Sequence, residues 1–332
     1  MQLSFEPLTL KLRRPFNIAH GTSHTRQNVL VRIDGGIGEA AAVPYYGETA
    51  DGIAAYLSAL DFRAVADPFE IEDLVAALPP GSPAARAAVD IALHDLWGQA
   101  LDQPLYRLFG LNPNRIPATS FTLAMDTPRA MAEAAAAASE TSLKIKLGAG
   151  DDAARIASVR AATRAPLRAD ANGGWTREQA LRLLPLLAEH GFELIEQPLP
   201  AGDVDGLRAL AELRSRPPIF VDESIATSAD IVAHRGLVDG VVVKLAKCGG
   251  IRAALRQIAV AAACDMDVML GCMVESSVAV TAAAHLAPLA KYVDLDGPLL
   301  IDNDPLRGVE YRGGRLVLPA GPGLGLCSRD VN

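Results

Sequence analysis

Residues 166–200, PLRADANGGWTREQALRLLPLLAEHGFELIEQPLP, contain the unit from which the fold of the whole chain can be read. An apolar run centred near residue 169 gives way to a helical stretch, Arg177–Glu189, and then to a second apolar run centred near residue 195. Strand, helix and strand in that order predict two parallel strands joined by a crossover helix. Each strand ends in acid: Asp170-Ala171-Asn172 closes the first and Glu196-Gln197-Pro198 the second.

The same interval continues in both directions. Short apolar runs centre near residues 120, 145, 169, 195, 221, 243, 270 and 294, about 25 residues apart, with helical segments such as Pro128–Ser139 between them. Eight parallel strands suffice to close a TIM-type barrel, with an open doubly wound sheet as the competitor on periodicity alone. Upstream the pattern is mixed. Leu3–Leu12 and Asn28–Asp34 alternate as antiparallel strands, with Gly35-Gly36 as a turn signal. Helices are expected over Asp51–Leu60, Glu70–Leu78 and Ser82–Leu101, the last with Ser82 as N-cap and Pro83 in the first helical position. This α+β unit ends near Asn112-Pro113-Asn114. After Pro305, Gly313-Gly314 and a Gly-Pro-Gly cluster predict a hairpin and tail outside the barrel. The expected division is 1–114, 115–304, and a segment 305–332 that packs back on the first.

Composition sets the broad class. Of 332 residues, 50% are hydrophobic and 21% charged, enough to bury a full core without disorder. A net charge of -8 argues against nucleic-acid backbones as partners. No apolar run is long enough to cross a bilayer, and Met1–Phe16 lacks the apolar centre of a signal peptide, so a cytoplasmic protein is expected. Cys248, Cys264, Cys272 and Cys327 form no CxxC pair and are expected to be buried free thiols. A homo-oligomer acting on a small molecule, with neither nucleic acid nor membrane as partner, is expected.

Active sites of parallel barrels lie at the C-terminal ends of the strands, and here those ends are charged. Strand 2 ends Leu143-Lys144-Ile145-Lys146, strand 5 ends Asp222-Glu223-Ser224, strand 6 carries Lys244, and strand 8 ends Asp294-Leu295-Asp296. A single acid after a strand is ordinarily a helix N-cap. Asp170, Glu196 and Asp222 stand at matching ends of three consecutive strands, and carboxylates that close repel unless a cation sits among them. Hard oxygen donors suit Mg²⁺, or Mn²⁺. Asn172, Gln197 and Glu223 stand beside them as candidates to orient the ligands.

Lys144 and Lys146 project to one side of their strand, and Lys244 lies on the strand diametrically opposite. Amines on opposite sides, with a metal between them, can address both faces of one carbon, and the metal and neighbouring cations would depress a lysine pKa enough to make a base. Lys247 reads as mainly structural. Asp294 and Asp296 suit a substrate ammonium, or else cap a loop. Glu275 is a further candidate at the end of strand 7. His94 and His285 read as structural, Gly148-Ala149-Gly150 lacks the spacing of a nucleotide fingerprint, and Ala132–Ala138 is a strong helix former.

Taken together, the Lys-x-Lys, Asp-Ala-Asn, Glu-Gln-Pro, Asp-Glu-Ser and Lys-Leu-x-Lys-x-Gly-Gly segments resemble the enolase superfamily, in its muconate lactonizing enzyme subgroup. The resemblance spans nearly the whole chain and implies a modified (β/α)7β barrel with an N-terminal α+β capping domain. Lysine bases working with Mg²⁺ are a pattern of that superfamily. Carried over by position, Asp170, Glu196 and Asp222 become metal ligands, Lys146 and Lys244 the acid/base pair, and Lys144 a stabiliser of the enolate. Dipeptide epimerases hold their substrate's ammonium with an Asp-x-Asp at the place of Asp294-Leu295-Asp296. Ala-Glu epimerases tend to supply an arginine from the capping loop, here Arg14–His24. Gly21 takes that place in Asn17-Ile18-Ala19-His20-Gly21, so hydrophobic or cationic C-terminal residues are expected instead of glutamate. N-acylamino-acid racemization, o-succinylbenzoate synthesis and cycloisomerization are the alternatives within the subgroup. A catalytically silent metabolite-binding barrel is the alternative outside it, and retention of three lysines argues against that one.

Overall fold

A computed structural model describes residues 1–18, 21–62 and 67–329; Ala19 and His20 of the capping loop lie outside the described residues. The chain opens with an antiparallel sheet of β1 (Leu3–Ile18), β2 (Gly21–Ile33) and β3 (Gly36–Ala40), in that order. The turn between β2 and β3 falls at Asp34-Gly35, one residue earlier than the sequence suggests, and Gly36 opens the third strand. That strand has little sequence signature because it touches a helix backbone. A Cβ on Gly38 would lie 2.0 Å from the Ala88 carbonyl oxygen, so only glycine allows the approach.

The helices α1 (Ala50–Ser58), α2 (Ile71–Ala77) and α3 (Pro83–Ala100) cover this sheet. The Ser82 hydroxyl accepts from the Ala85 N–H and Pro83 fills the first turn, which satisfies donors that the helix itself cannot. Val29, Val31, Ile53, Leu57, Val75 and Leu93 are part of the resulting core. The short α4 (Leu105–Leu108) follows.

The strands β4 (Phe121–Leu123), β5 (Leu143–Lys146), β6 (Leu167–Asp170), β7 (Phe192–Glu196), β8 (Ile219–Val221), β9 (Gly240–Lys244), β10 (Asp267–Gly271) and β11 (Tyr292–Asp294) form one parallel sheet in sequence order. The order never reverses, and a parallel bridge between Thr119 and Val293 joins the two edges. That excludes the open sheet. Helices α5 (Pro128–Ala137), α6 (Asp152–Ala162), α7 (Arg177–Glu189), α8 (Val204–Ala211), α9 (Ser228–Ala233), α10 (Leu245–Cys248), α11 (Ile251–Ala263) and α12 (Ser277–Ala284) follow the first seven strands, and β11 is followed by a 3₁₀ turn, Gly297–Leu300. The architecture is (β/α)7β.

Side chains two apart on a strand share a face, and this rule layers the interior. Leu194, Phe220, Val242 and Met269 form a buried apolar cluster with Tyr292 packed against it. Two residues further along the same strands stand Glu196, Asp222, Lys244, Gly271 and Asp294. The charged layer therefore rests on an apolar floor.

Two buried carboxylates of the first hundred residues reach helix starts in the barrel. Glu39 on β3 accepts from the Ser276 N–H at 3.0 Å and the Ala279 N–H at 3.4 Å, at the start of α12. Asp90 on α3 accepts from the Ile251 N–H at the start of α11. Gly250, with φ of +112°, would place a Cβ 2.4 Å from the Asp90 carboxylate, so that contact requires glycine.

Beyond the barrel, β12 (Leu306–Arg307) pairs with β15 (Cys327–Ser328), and β13 (Glu310–Arg312) with β14 (Arg315–Val317) around Gly313-Gly314. The tail touches the end of α3, where the Leu324 N–H donates to Asp95 at 2.8 Å. All four cysteines are free, but Cys327 is exposed and the others are only partly buried. The expectation of burial fails at Cys327 because β15 is a two-residue strand at the surface. Among the described residues, no helix is long and apolar enough to cross a membrane.

Candidate active site

The strand-end residues singled out above converge on the C-terminal mouth of the barrel. Lys144, Lys146, Asp222, Lys244, Asp294 and Asp296 line one pocket, with Asn172 and Glu223 beside them. Asp170 and Glu196 sit at its base, fully buried. Arg26, Val43, Tyr45 and Tyr46 of the N-terminal unit form the facing wall.

Charge alternates through the base of the site. Lys144 Nζ stands 2.6 Å from Glu196, 2.7 Å from Asp294 and 3.0 Å from Asp170. Lys146 Nζ is 2.6 Å from Asp170. On the opposite side Lys244 Nζ is 2.8 Å and Lys247 Nζ 2.6 Å from Asp222. Lys247 also donates to the Val242 carbonyl at 3.1 Å, so the role read as structural is to fix the Asp222 carboxylate.

These contacts set the protonation of the acids. Burial opposes ionisation of Asp170 and Asp222, but the adjacent lysines prevail and hold both below the ordinary carboxylate range. Burial and the charge of Asp170 push Glu196 up to about 8, and burial with Asp222 pushes Glu223 up to about 7. Burial works against the charge on Lys144 and Lys244, yet their carboxylate neighbours raise both well above the ordinary lysine value. Without a cation among them, the carboxylates outweigh the neighbouring ammonium groups; the depression expected from sequence is one that a bound metal would cause. A divalent cation among the acids would push the lysines the other way.

Among the described residues, no three acidic, histidine or cysteine side chains already stand as a metal-ligand set; ammonium groups lie between the acids instead. The acids nevertheless fit a hard cation. Lys144 meets Oε2 of Glu196, but the other carboxylate oxygen, Oε1, is buried without a partner among the described residues, as is one oxygen of Glu223. Buried carboxylate oxygens without partners are costly and require a positive charge or a proton.

The backbone at the strand ends is bent to present these groups. Asn172 and Gln197 adopt left-handed conformations, with φ of 44° and 37°, which is unfavourable for a side chain such as glutamine. The Gln197 amide offsets the strain: it donates to Leu199 O at 2.7 Å and Ser224 Oγ at 2.9 Å, and accepts from the Asp222 N–H at 2.9 Å. Gln197 thus ties the β7 and β8 ends together. Asn172 donates to Glu223 at 3.1 Å.

Asp294 and Asp296 share the pocket but not the same environment. Asp294 accepts from Ser120 Oγ at 2.6 Å with one oxygen and from Lys144 at 2.7 Å with the other. Burial opposes its ionisation, but Lys144 outweighs that and holds it low. Asp296 lies just past the strand, where one oxygen accepts from the Thr122 N–H at 2.7 Å. Burial and then the charge of Asp294 push it up to about 6. Asp296 is the carboxylate with capacity left for a cationic ligand.

Two of the four candidate substrate contacts, Glu275 and Gly21, fall outside the pocket lining. Glu275 is buried behind the wall, accepts from the Met273 N–H at 2.9 Å, and is pushed up to about 8 by burial and by Glu39. Gly21 sits at the hairpin with φ of +133° and open space about it. The N-terminal unit lines the pocket through Arg26, Tyr45 and Tyr46, which carry no motif and were not singled out in the sequence. His94 bonds the Asp90 carbonyl at 2.7 Å and His285 accepts from the Tyr106 N–H at 3.1 Å, both away from the mouth.

The chain matches the model of the mandelate racemase / muconate lactonizing enzyme N-terminal domain over residues 5–110 and the enolase C-terminal domain-like model over 127–330. It is 40% identical to an L-Ala-D/L-Glu epimerase of Bacteroides thetaiotaomicron, over 98% of this chain and 88% of that one. A dipeptide epimerase from Cytophaga hutchinsonii, complexed with Mg and D-Ala-L-Val, superposes with a TM-score of 0.92 at 30% identity, covering 99% of this chain and 96% of that one. An N-succinyl Arg/Lys racemase from Bacillus cereus also superposes at 0.92 and 30% identity, covering 99% and 95%. With both domain models matched, the conclusion is direct: the chain belongs to the enolase superfamily, in its mandelate racemase and muconate lactonizing enzyme group.

Proposed function

We propose that this protein is a Mg²⁺-dependent dipeptide epimerase that inverts the α-carbon of the C-terminal residue. The observation that carries the reading is the opposition of Lys146 and Lys244 across a mouth that also holds Asp296. Similarity to epimerases of dipeptides supports it.

Asp170, Glu196 and Asp222 would hold the metal, Mg²⁺ or Mn²⁺, and Glu196 fits that role through its buried, unpartnered Oε1. When bound, the cation supplies positive charge to the substrate carboxylate and so acidifies the neighbouring C–H. One of Lys146 and Lys244 removes the α-proton and the other, protonated, returns a proton to the opposite face. Lys144 offers its ammonium to the charge developing on the enediolate. Asp296 accepts from the substrate's free ammonium. Arg26 in the pocket lining would disfavour a cationic substrate side chain placed beside it.

The test is a dipeptide library incubated in D₂O with Mg²⁺ and read by mass spectrometry. Deuterium should enter the C-terminal α-carbon of free dipeptides. Exchange confined to N-acylamino acids would replace the reading with a racemase, for which the likeness to the N-succinyl Arg/Lys racemase is the favouring observation. No exchange in any compound would leave a binding barrel.

A further inference from the structure

The C-terminal hairpin reaches back to the mouth of the barrel. Strand β11 has no long helix after it; its ladder with β10 ends at Asp294, and it meets the other edge of the sheet through a single bridge to Thr119, just before β4, so the ladder does little to fix the chain that leaves it. That departing chain is Asp294-Leu295-Asp296. Leu295, wholly buried, is held at both ends of its backbone: its N–H donates to Thr119 Oγ1 at 2.9 Å, and its carbonyl accepts from the Tyr311 hydroxyl at 2.6 Å. The Thr119 N–H in turn donates to the Gly314 carbonyl in the hairpin turn at 2.9 Å. Hairpin, barrel seam and motif therefore form one bonded circuit.

We infer that Tyr311 is a positioning residue for substrate selection, bracing the Leu295 peptide so that the Asp296 carboxylate meets the substrate ammonium. The inference rests on the proposed dipeptide reading. A charge-assisted bond requires an N···O separation of about 2.7–2.9 Å, and the Leu295–Asp296 peptide carries the Asp296 side chain. Releasing the Leu295 carbonyl frees that peptide to turn, while Thr122 still tethers the distal oxygen of Asp296. The expected loss is in discrimination between substrates with and without a free ammonium.

The experiment measures kcat/KM for a free dipeptide and for its N-acetylated form on one enzyme preparation, for wild type, Tyr311→Phe, Thr119→Val and Glu310→Ala. The ratio of the two substrates cancels any difference in the fraction of folded enzyme. Tyr311→Phe should lower the preference for the free dipeptide three- to tenfold, on the order of one neutral hydrogen bond, through a raised KM for the free form alone. Thr119→Val should act in the same direction. Glu310→Ala, exposed on the same hairpin, should leave the ratio unchanged. If wild type prefers the free dipeptide and Tyr311→Phe keeps that preference within twofold, the brace is merely structural and the inference fails. If wild type shows no preference, the ammonium reading falls and the inference with it.

Discussion

The two aspartates at the end of β11 should fail in different ways when each is replaced by asparagine. Asp296 has one oxygen engaged by the Thr122 N–H, which leaves one for a ligand. Asp296→Asn therefore removes one charge-assisted hydrogen bond, worth about 1.5–3 kcal/mol. At about 1.4 kcal/mol per tenfold, kcat/KM for a free dipeptide should fall roughly 10- to 150-fold, and that for its N-acetylated form should scarcely change. Asp294 has neither oxygen free, because Ser120 holds one and Lys144 the other. Asp294→Asn takes a charge from a buried pair, which costs about 3–5 kcal/mol when the partner is stranded. Lys144 retains Asp170 and Glu196, so the low end of that range applies. The loss should appear as a lower melting temperature and a lower kcat for free and acetylated substrates alike. Steady-state polarimetry on both substrates, with calorimetric melting, separates the outcomes. Asp294→Asn abolishing discrimination while Asp296→Asn changed only stability would refute the assignment of the ammonium to Asp296.

Other consequences can be checked directly. Lys146→Ala should retain proton exchange from only one substrate epimer and Lys244→Ala from only the other, read by NMR in D₂O; exchange from both epimers at wild-type rate in either variant would contradict the two-base reading. Glu196→Gln should weaken Mg²⁺ binding at least tenfold by titration calorimetry, since it removes charge from an acid with one buried oxygen left without a partner; unaltered affinity would remove Glu196 from the ligand set. Glu275, raised from an ordinary 4.5 to about 8, binds its proton more tightly in the folded state. Its contribution to stability is therefore complete below about pH 4.5 and declines as pH rises towards about 8. Glu275→Gln should thus gain melting temperature relative to wild type between pH 5 and 8.5, and a constant difference would show that Glu275 does not titrate there.

The barrel was legible because its strands are short apolar runs at a steady interval, and the site because acids and lysines interrupt those runs at their ends. Asp170, Glu196, Asp222, Lys144, Lys146 and Lys244 all stand out against that background. Strand β3 was not legible, since the close approach of α3 substitutes glycine for the alternating side chains that mark a strand. Arg26, Tyr45 and Tyr46 were hidden for another reason: they come from a separate sheet and loop, and only the docking of that unit brings them over the mouth. Glu275 follows a strand as Asp170, Glu196 and Asp222 close theirs, yet the chain sets it near Glu39 instead of in the pocket lining. Sequence spacing reports which strand end a residue occupies, but not which way a loop residue faces.

Glu39 and Asp90 bear on how such an enzyme could be rebuilt. The helices that follow the sixth and seventh barrel strands begin on acceptors borrowed from outside the barrel. A barrel grafted beneath a foreign cap would lose both, leaving helix starts unsatisfied immediately behind Lys244 and the Met273–Val274 wall. Recombination that exchanges the N-terminal unit must therefore carry an acid to each of those two places. A chimera that breaks this rule forfeits the alignment of its catalytic strands before it acquires any new substrate.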